Sequence, residues 1–147
     1  MPYNVLAMAS LNLSKAVLDG LYLFSNSDGH RHYTIDEFLR YFVYPVLQNK
    51  IEIFYENDKP VGLVTWCFLP EDIGEQFLAD RYTLEEEDYI ATEGEQLWGI
   101  EFIAPFGHAR QIMRAMNNKH RQVYGKGRDI FWRRFKDRNS IHKGVFK

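Results

Sequence analysis

Cysteine is almost missing from this chain: Cys67 stands alone, which excludes an internal disulfide and argues against a cysteine-rich zinc cluster. Long apolar runs are missing as well. No stretch approaches the roughly 18 consecutive apolar residues of a membrane-spanning helix, and Met1-Pro2-Tyr3-Asn4 has no basic region leading into an apolar segment. No membrane span is therefore expected, and the expected localisation is cytoplasmic. The five histidines form no His-x-x-x-His pair, no Gly-x-Ser-x-Gly elbow occurs, and Gly125-Lys126-Gly127 lacks the third glycine and the following helix of a dinucleotide loop. These absences remove the common zincins, hydrolases and nucleotide enzymes, and no metal site is expected. Internal repeats and low-complexity segments are absent too, so residues 1–147 are expected to form one domain.

What is present suffices for a core, since 46% of the residues are hydrophobic and 16% aromatic. Cys67 reads as a small buried hydrophobe on a strand from Val61 to Phe68. The net charge of −2 hides a division: residues 52–101 hold 14 Asp or Glu against two Lys or Arg, whereas residues 108–147 hold 12 Lys or Arg against two acids. The basic end should attract an acidic partner.

Leu6, Leu13, Val17, Leu21 and Phe24 recur at spacings near three and four, which predicts an amphipathic helix over residues 5–24 with Gly20 as its weak point. A loop follows, and Thr34-Ile35-Asp36-Glu37 reads as a capping box that opens a second helix, with Tyr33 and Phe38 as its hydrophobic staple. Pro45 should bend or interrupt that helix. Ile51–Tyr55 and Val61–Phe68 flank the turn Glu56-Asn57-Asp58-Lys59-Pro60 and predict an antiparallel hairpin. Residues 71–80 fit a short helix, Glu85 to Asp88 read as a solvated acidic face, residues 107–118 fit a helix, and Asp129–Phe135 reads as the final strand. This order suits an α+β fold, an α/β sandwich in which a single mixed sheet carries flanking helices.

One segment calls for a chemical explanation. Leu97-Trp98-Gly99-Ile100-Glu101-Phe102-Ile103 is a buried-strand pattern ended by Pro105-Phe106-Gly107, and it contains one acid. A carboxylate buried alone is costly, so Glu101 should either face solvent or hold a cationic or hydrogen-bonding group.

Ile100-Glu101-Phe102-Ile103-Ala104-Pro105-Phe106-Gly107 resembles the Asp-Trp-Ile-Ala-Pro-Phe-Gly signature of the toxin-activating lysine acyltransferases, the hemolysin C type of bacterial enzyme. Ser27-Asp28-Gly29-His30-Arg31 resembles that family's Ser-x-x-His-Arg, and Pro60-Val61-Gly62-Leu63-Val64-Thr65-Trp66 its Pro-Val-Ala-x-x-Ser-Trp strand, in the same order along the chain. The resemblance implies an acetyltransferase-like fold. It also implies a fatty acyl transfer from acyl carrier protein to internal lysines of a repeats-in-toxin protoxin, with the acyl-loaded carrier as donor and no bound cofactor. His30 and Glu101 then hold the catalytic positions, 71 residues apart, with glutamate where the family carries aspartate.

The chemistry fits these residue types. A lysine amine, with a reference pKa near ~10.4, needs a base at neutral pH, and imidazole, near ~6.5, can serve. A carboxylate on the other ring nitrogen would fix the tautomer and stabilise the imidazolium. The extra methylene of glutamate moves that carboxylate by over ~1 Å on a fixed backbone. His32, in the same loop, is chemically equivalent to His30, and only the motif selects between them. His30 could deprotonate the lysine directly or activate Ser27.

Four residues are expected to bind substrate. The backbone N–H groups of Gly107 and His108, at a helix start, could hold a thioester oxygen, although the His108 side chain also reads as a plain surface histidine. Arg110 and Arg114, with Arg121, Arg128, Arg133 and Arg134, are docking candidates for the acidic carrier. Trp66, Trp98, Phe102 and Phe106 could line an acyl slot or belong to the core. Phe131-Trp132-Arg133-Arg134-Phe135-Lys136 interleaves aromatic and basic residues as a nucleic-acid platform could, but no recognition motif accompanies it and nucleic acid is not an expected partner. A relative that has lost catalysis through Glu101 and only binds toxin or carrier is a further alternative. The oligomeric state is not fixed by the sequence, and a homodimer is compatible with it.

Overall fold

A computed structural model of the chain describes the backbone of residues 2–125, 128–134 and 137–145, and the side chains of 13–123, 125 and 128–132. Helix α1 (Pro2–Ser25) leads through a tight loop into α2 (Ile35–Phe38). A π-helical turn (Leu39–Val43) joins α2 to α3 (Tyr44–Leu47). Strands β1 (Ile51–Glu56) and β2 (Lys59–Leu69) precede α4 (Glu71–Leu78), and a 3₁₀ turn (Glu86–Tyr89) precedes β3 (Gln96–Ile103). Helix α5 (Ala109–Tyr124) then leads to β4 (Asp129–Arg134) and β5 (Asp137–Val145).

The five strands form one sheet in the order β1-β2-β3-β4-β5. Every neighbouring pair is antiparallel except β3 and β4, which run parallel because α5 carries the chain back across the sheet between them. The expected mixed sheet with helices packed on it is therefore present. The hairpin turns through Asn57 and Asp58, both at positive φ, a conformation these two residue types tolerate. Asp129–Arg134 is not the last strand, since β5 follows it; Asp137-Arg138-Asn139-Ser140 has no apolar alternation to announce a strand.

Alternation along β2 sorts the core onto two faces. Val64, Trp66 and Phe68 pack with Ile112 and Met116 of α5. Leu63 meets Leu23 and Phe24 of α1 together with Phe42 and Val46, while Cys67 and Leu69 meet Phe77 of α4, Leu84 and Tyr89. Cys67 is fully buried, as expected, and burial pushes its thiol well above the ordinary value. Gly20 is not merely a weak point of α1: a Cβ there would collide with the ring of Phe42. The glycine lets the π turn close on the helix.

Thr34 caps α2, its hydroxyl accepting from the Glu37 N–H at 3.1 Å, and Tyr33 and Phe38 pack in the same cluster as the staple requires. The expected interruption at Pro45 is present as a π turn between α2 and α3. Pro45 sits near the start of α3 directly after the π turn, where the shifted register absorbs its missing N–H. The acidic stretch Glu85 to Asp88 is more than a solvated face. Glu85 and Asp88 form a capping box, Arg40 reaches Glu85 at 2.7 Å, Gln48 donates to Glu86 at 3.0 Å, and Tyr82 donates to Asp88 at 2.9 Å. These contacts anchor the loop beneath Leu84 and Tyr89, both fully buried.

Candidate active site

The loop from Ser27 to Tyr33 is drawn tight by its own backbone. The N–H groups of His30 and Arg31 both donate to the Ser27 carbonyl, and the Tyr33 N–H donates to that of His30. Phe24 closes the loop from α1, its ring edge-on to His30 at 5.5 Å and to Tyr33 at 5.4 Å. His30 is thereby buried at the sheet surface, while His32, two residues on, is exposed.

Glu101 reaches that face through a β-bulge. Thr65 pairs with Glu101 but Trp66 pairs with Gly99, so Ile100 has no partner on β2. Regular alternation from Leu97, which faces α5, would turn Glu101 toward α5 as well. The extra residue reverses the parity beyond it and puts Glu101 beside Ile103 on the opposite face, where the His30 loop lies. Glu101 neither faces solvent nor stands alone. Only 7% of it is exposed, its Oε2 lies 2.7 Å from His30 Nε2, its Oε1 accepts from the Tyr33 hydroxyl at 2.5 Å, and its backbone N–H donates to Thr65 Oγ1 at 3.0 Å. Burial first, and then the adjacent carboxylate, push the Tyr33 phenol far above its ordinary value, so it stays a donor.

The other imidazole nitrogen, Nδ1, is 2.7 Å from Ser27 Oγ. Since a carboxylate can only accept, the hydrogen-bond pattern assigns the proton to Nε2 and leaves the Nδ1 lone pair facing the hydroxyl. An imidazole held so can take a proton at Nδ1 while a fixed negative charge balances the resulting cation.

His30, Tyr33 and Glu101 border a cavity of about 620 Å³. It lies where the parallel strands part: β3 and β4 pair only at Leu97–Ile130, Trp98–Phe131 and Gly99–Trp132, and the cavity is lined beyond that point by Ile100, Phe102, Ile130 and Trp132. Val64, Met113 and Met116 carry the lining to the α5 face. His120, also in the lining, packs edge-on to Trp66 at 5.0 Å, and burial, with Lys119 nearby, pushes its pKa down to about 4.

His30 and Glu101 are thus brought together, whereas the residues expected to bind substrate are spread out. Gly107 and His108 do not border the cavity; His108 Nε2 lies 3.0 Å from Glu56 and Gly107 is an exposed turn residue with φ +91°. Arg110 and Arg114 line a second groove with Arg121 on the outer face of α5, and Met113 and Asn117 border both the groove and the cavity. Arg128 is committed elsewhere, donating to the Gly94 carbonyl at 2.6 Å and lying over the Phe68 ring. The side chains of Arg133 and Arg134 lie outside the described ones. Of the four aromatics considered for an acyl slot, Phe102 lines the cavity, Trp66 and Trp98 are buried core, and Phe106 is exposed beside Tyr22. Phe131 stacks on Trp98 and Trp132 faces the cavity, so neither presents an outward nucleic-acid platform.

Sequence reasoning missed Tyr33 and Thr65 as partners of Glu101. Tyr33 carried a signal, a hydroxyl at a staple position where a plain hydrophobe would serve. Thr65 carried one too, a hydroxyl inside an otherwise apolar strand.

Known proteins resemble this chain. Lysine-acyltransferase RtxC of Vibrio cholerae is 29% identical over 121 residues, which cover 79% of this chain and 75% of RtxC. Protein-lysine myristoyltransferase HlyC of Escherichia coli is 28% identical over 98 residues, 67% of this chain and 56% of HlyC. Protein sll0720 of Synechocystis is 26% identical over 109 residues, 73% of each chain. The model of the RTX toxin acyltransferase family matches residues 11–141, and with the Ser27–His30–Glu101 constellation inside that span the chain belongs to this family.

Proposed function

We propose that this chain is a cytoplasmic protein lysine acyltransferase that takes a fatty acyl group from acyl carrier protein and forms an amide on internal lysines of a repeats-in-toxin protoxin. The observation that carries the reading is the buried His30–Glu101 pair on the wall of a cavity that has one apolar side, from Val64 to Trp132, and one polar side that includes Asp36, Glu37 and Arg40. Once Ser27 Oγ turns aside, His30 Nδ1 takes a proton from the incoming ammonium, and the freed amine attacks the thioester carbonyl. The new C–N bond forms as the C–S bond breaks, His30 gives its proton to the departing thiolate, and the attacking nitrogen sheds its second proton through His30 to water, leaving a neutral amide and a neutral thiol on the carrier. Glu101 holds the tautomer and balances the imidazolium.

The cavity falls in the 300 to 1,000 Å³ range common for ligands, and Val64, Phe102, Met113 and Met116 offer the apolar wall that an acyl chain needs. The groove of Arg110, Arg114 and Arg121 suits an acidic carrier docked beside the cavity. The intact contact between Glu101 and His30 supports a retained pair over a relative that only binds.

A second reading is favoured by one contact. Ser27 Oγ at 2.7 Å from Nδ1 completes a hydroxyl–imidazole–carboxylate chain that could form a transient acyl-serine. Ser27 does not border the cavity, which favours direct attack by the lysine. The test is incubation with acyl carrier protein loaded with labelled fatty acid and a co-expressed toxin of the family: direct transfer puts label on toxin lysines in both the parent and Ser27→Ala, whereas an acyl-enzyme requires Ser27 and leaves labelled Ser27 when toxin is withheld. Label on neither protein rules out acyl transfer with these partners.

A further inference from the structure

We infer that Tyr33 is a positioning residue for the His30–Glu101 pair: its hydroxyl takes one carboxylate oxygen of Glu101 and thereby turns the other onto His30. The inference rests on the proposed acyltransferase reading and extends it to a residue outside the motifs that carry the family resemblance.

A free carboxylate rotates about its last side-chain bond with little resistance. Here Oε1 is fixed by Tyr33 and Oε2 by His30, with the Thr65 hydroxyl holding the backbone N–H behind them. The three anchors come from two elements: Tyr33 and His30 from the loop before α2, and Thr65 from strand β2. Tyr33 is in turn held by its N–H bond to the His30 carbonyl and by the edge of Phe24, so the base and the group that orients its carboxylate are parts of one turn.

This arrangement explains how glutamate serves where the family carries aspartate. A side chain shorter by one methylene would withdraw the carboxylate by over ~1 Å on the same backbone. It could then keep the 2.5 Å contact to Tyr33 or the 2.7 Å contact to His30, but not both. Tyr33 and Glu101 are therefore a matched pair, with the hydroxyl placed to receive the carboxylate oxygen that His30 does not take.

The variant Tyr33→Phe keeps the ring and its packing on Phe24 and removes only the hydroxyl. The surrounding charges and titratable groups stay in place: Glu37 on α2, Tyr41 on the π turn, Tyr89 on the 3₁₀ turn, and His30 itself. The expected result is a loss of roughly tenfold in kcat for acyl transfer with KM changed less than about twofold, as for loss of one hydrogen bond to a charged group. If Tyr33 acts through Glu101, its effect must vanish once Glu101 is already disabled, so Tyr33→Phe placed on Glu101→Gln should cost less than about twofold more. Independently of turnover, the His30 Nε2–H proton, shielded from exchange by the carboxylate, should give a proton resonance in the parent that broadens in Tyr33→Phe. Full activity and an unchanged His30 resonance in Tyr33→Phe, or losses that simply multiply in the double variant, would overturn the inference. If the parent transfers no acyl group, the acyltransferase reading fails, and the His30 resonance alone decides the positioning role.

Discussion

Replacing Glu101 by glutamine keeps the size of the side chain and removes its charge, and the surrounding bonds dictate how the amide must sit. With the Tyr33 hydroxyl kept as donor, as it is to the carboxylate, it takes the amide oxygen, and the NH₂ group then faces His30 Nε2. Two donors cannot share that contact. The imidazole must move its proton to Nδ1, where it donates to Ser27 Oγ, and the lone pair that should receive the lysine proton is then turned toward the amide. The substitution therefore installs the wrong tautomer and removes the counter-charge of the imidazolium. Changes of this kind lower rates by roughly 10²- to 10⁴-fold, or about 2.7 to 5.4 kcal/mol of activation free energy. The fold should persist, because glutamine keeps the Tyr33 bond and a neutral amide is cheaper to bury than a carboxylate. Single-turnover transfer from labelled acyl carrier protein measures the rate, and a thermal melt checks the fold. A Glu101→Gln protein within about threefold of the parent would refute the argument.

Glu101→Asp should retain more activity than Glu101→Gln and less than the parent, because charge survives while one of the two anchoring bonds is lost; the same single-turnover assay ranks the three. Gly20→Ala should destabilise the protein by about 1 to 3 kcal/mol in denaturant titrations, since its Cβ collides with the Phe42 ring. Burial holds His120 down to about 4 when folded, against ~6.5 unfolded, so the unfolded state binds the extra proton between those values. Stability should therefore fall by up to about 3 kcal/mol as pH drops from ~6.5 to about 4, and urea melts of His120→Phe across that window should lose this part of the slope. Reversing Arg110 and Arg114 to Glu should slow association with acyl carrier protein, and added salt should weaken the parent's binding; a salt-independent affinity would remove the basic groove as the docking surface.

The helices, the hairpin and the strand before Pro105 were legible because periodicity, a capping residue and turn chemistry agree with the tertiary fold at those places. Motif reading likewise paired His30 with Glu101 across 71 positions. Strand alternation alone could not have done so, because the bulge at Ile100 that turns Glu101 to the His30 face depends on pairing with β2 and leaves no local mark. β5 was missed for a related reason: a polar segment becomes a strand here by pairing with β4. Glu85 to Asp88 looked solvated because their partners, Arg40, Gln48 and Tyr82, lie elsewhere in the chain. Tyr33 showed its ring to pattern reading and its hydroxyl only to the structure.

The central claim is that His30 is the base of a lysine acyl transfer. The most direct measurement is the mass of the modified lysines in a co-expressed protoxin, compared for the parent, His30→Ala and His32→Ala, with each protein shown to be folded. Lysines carrying the added acyl mass with the parent and with His32→Ala, and unmodified lysines with His30→Ala, are predicted. Equal modification by His30→Ala and the parent, or equal losses in both histidine variants, would contradict the account.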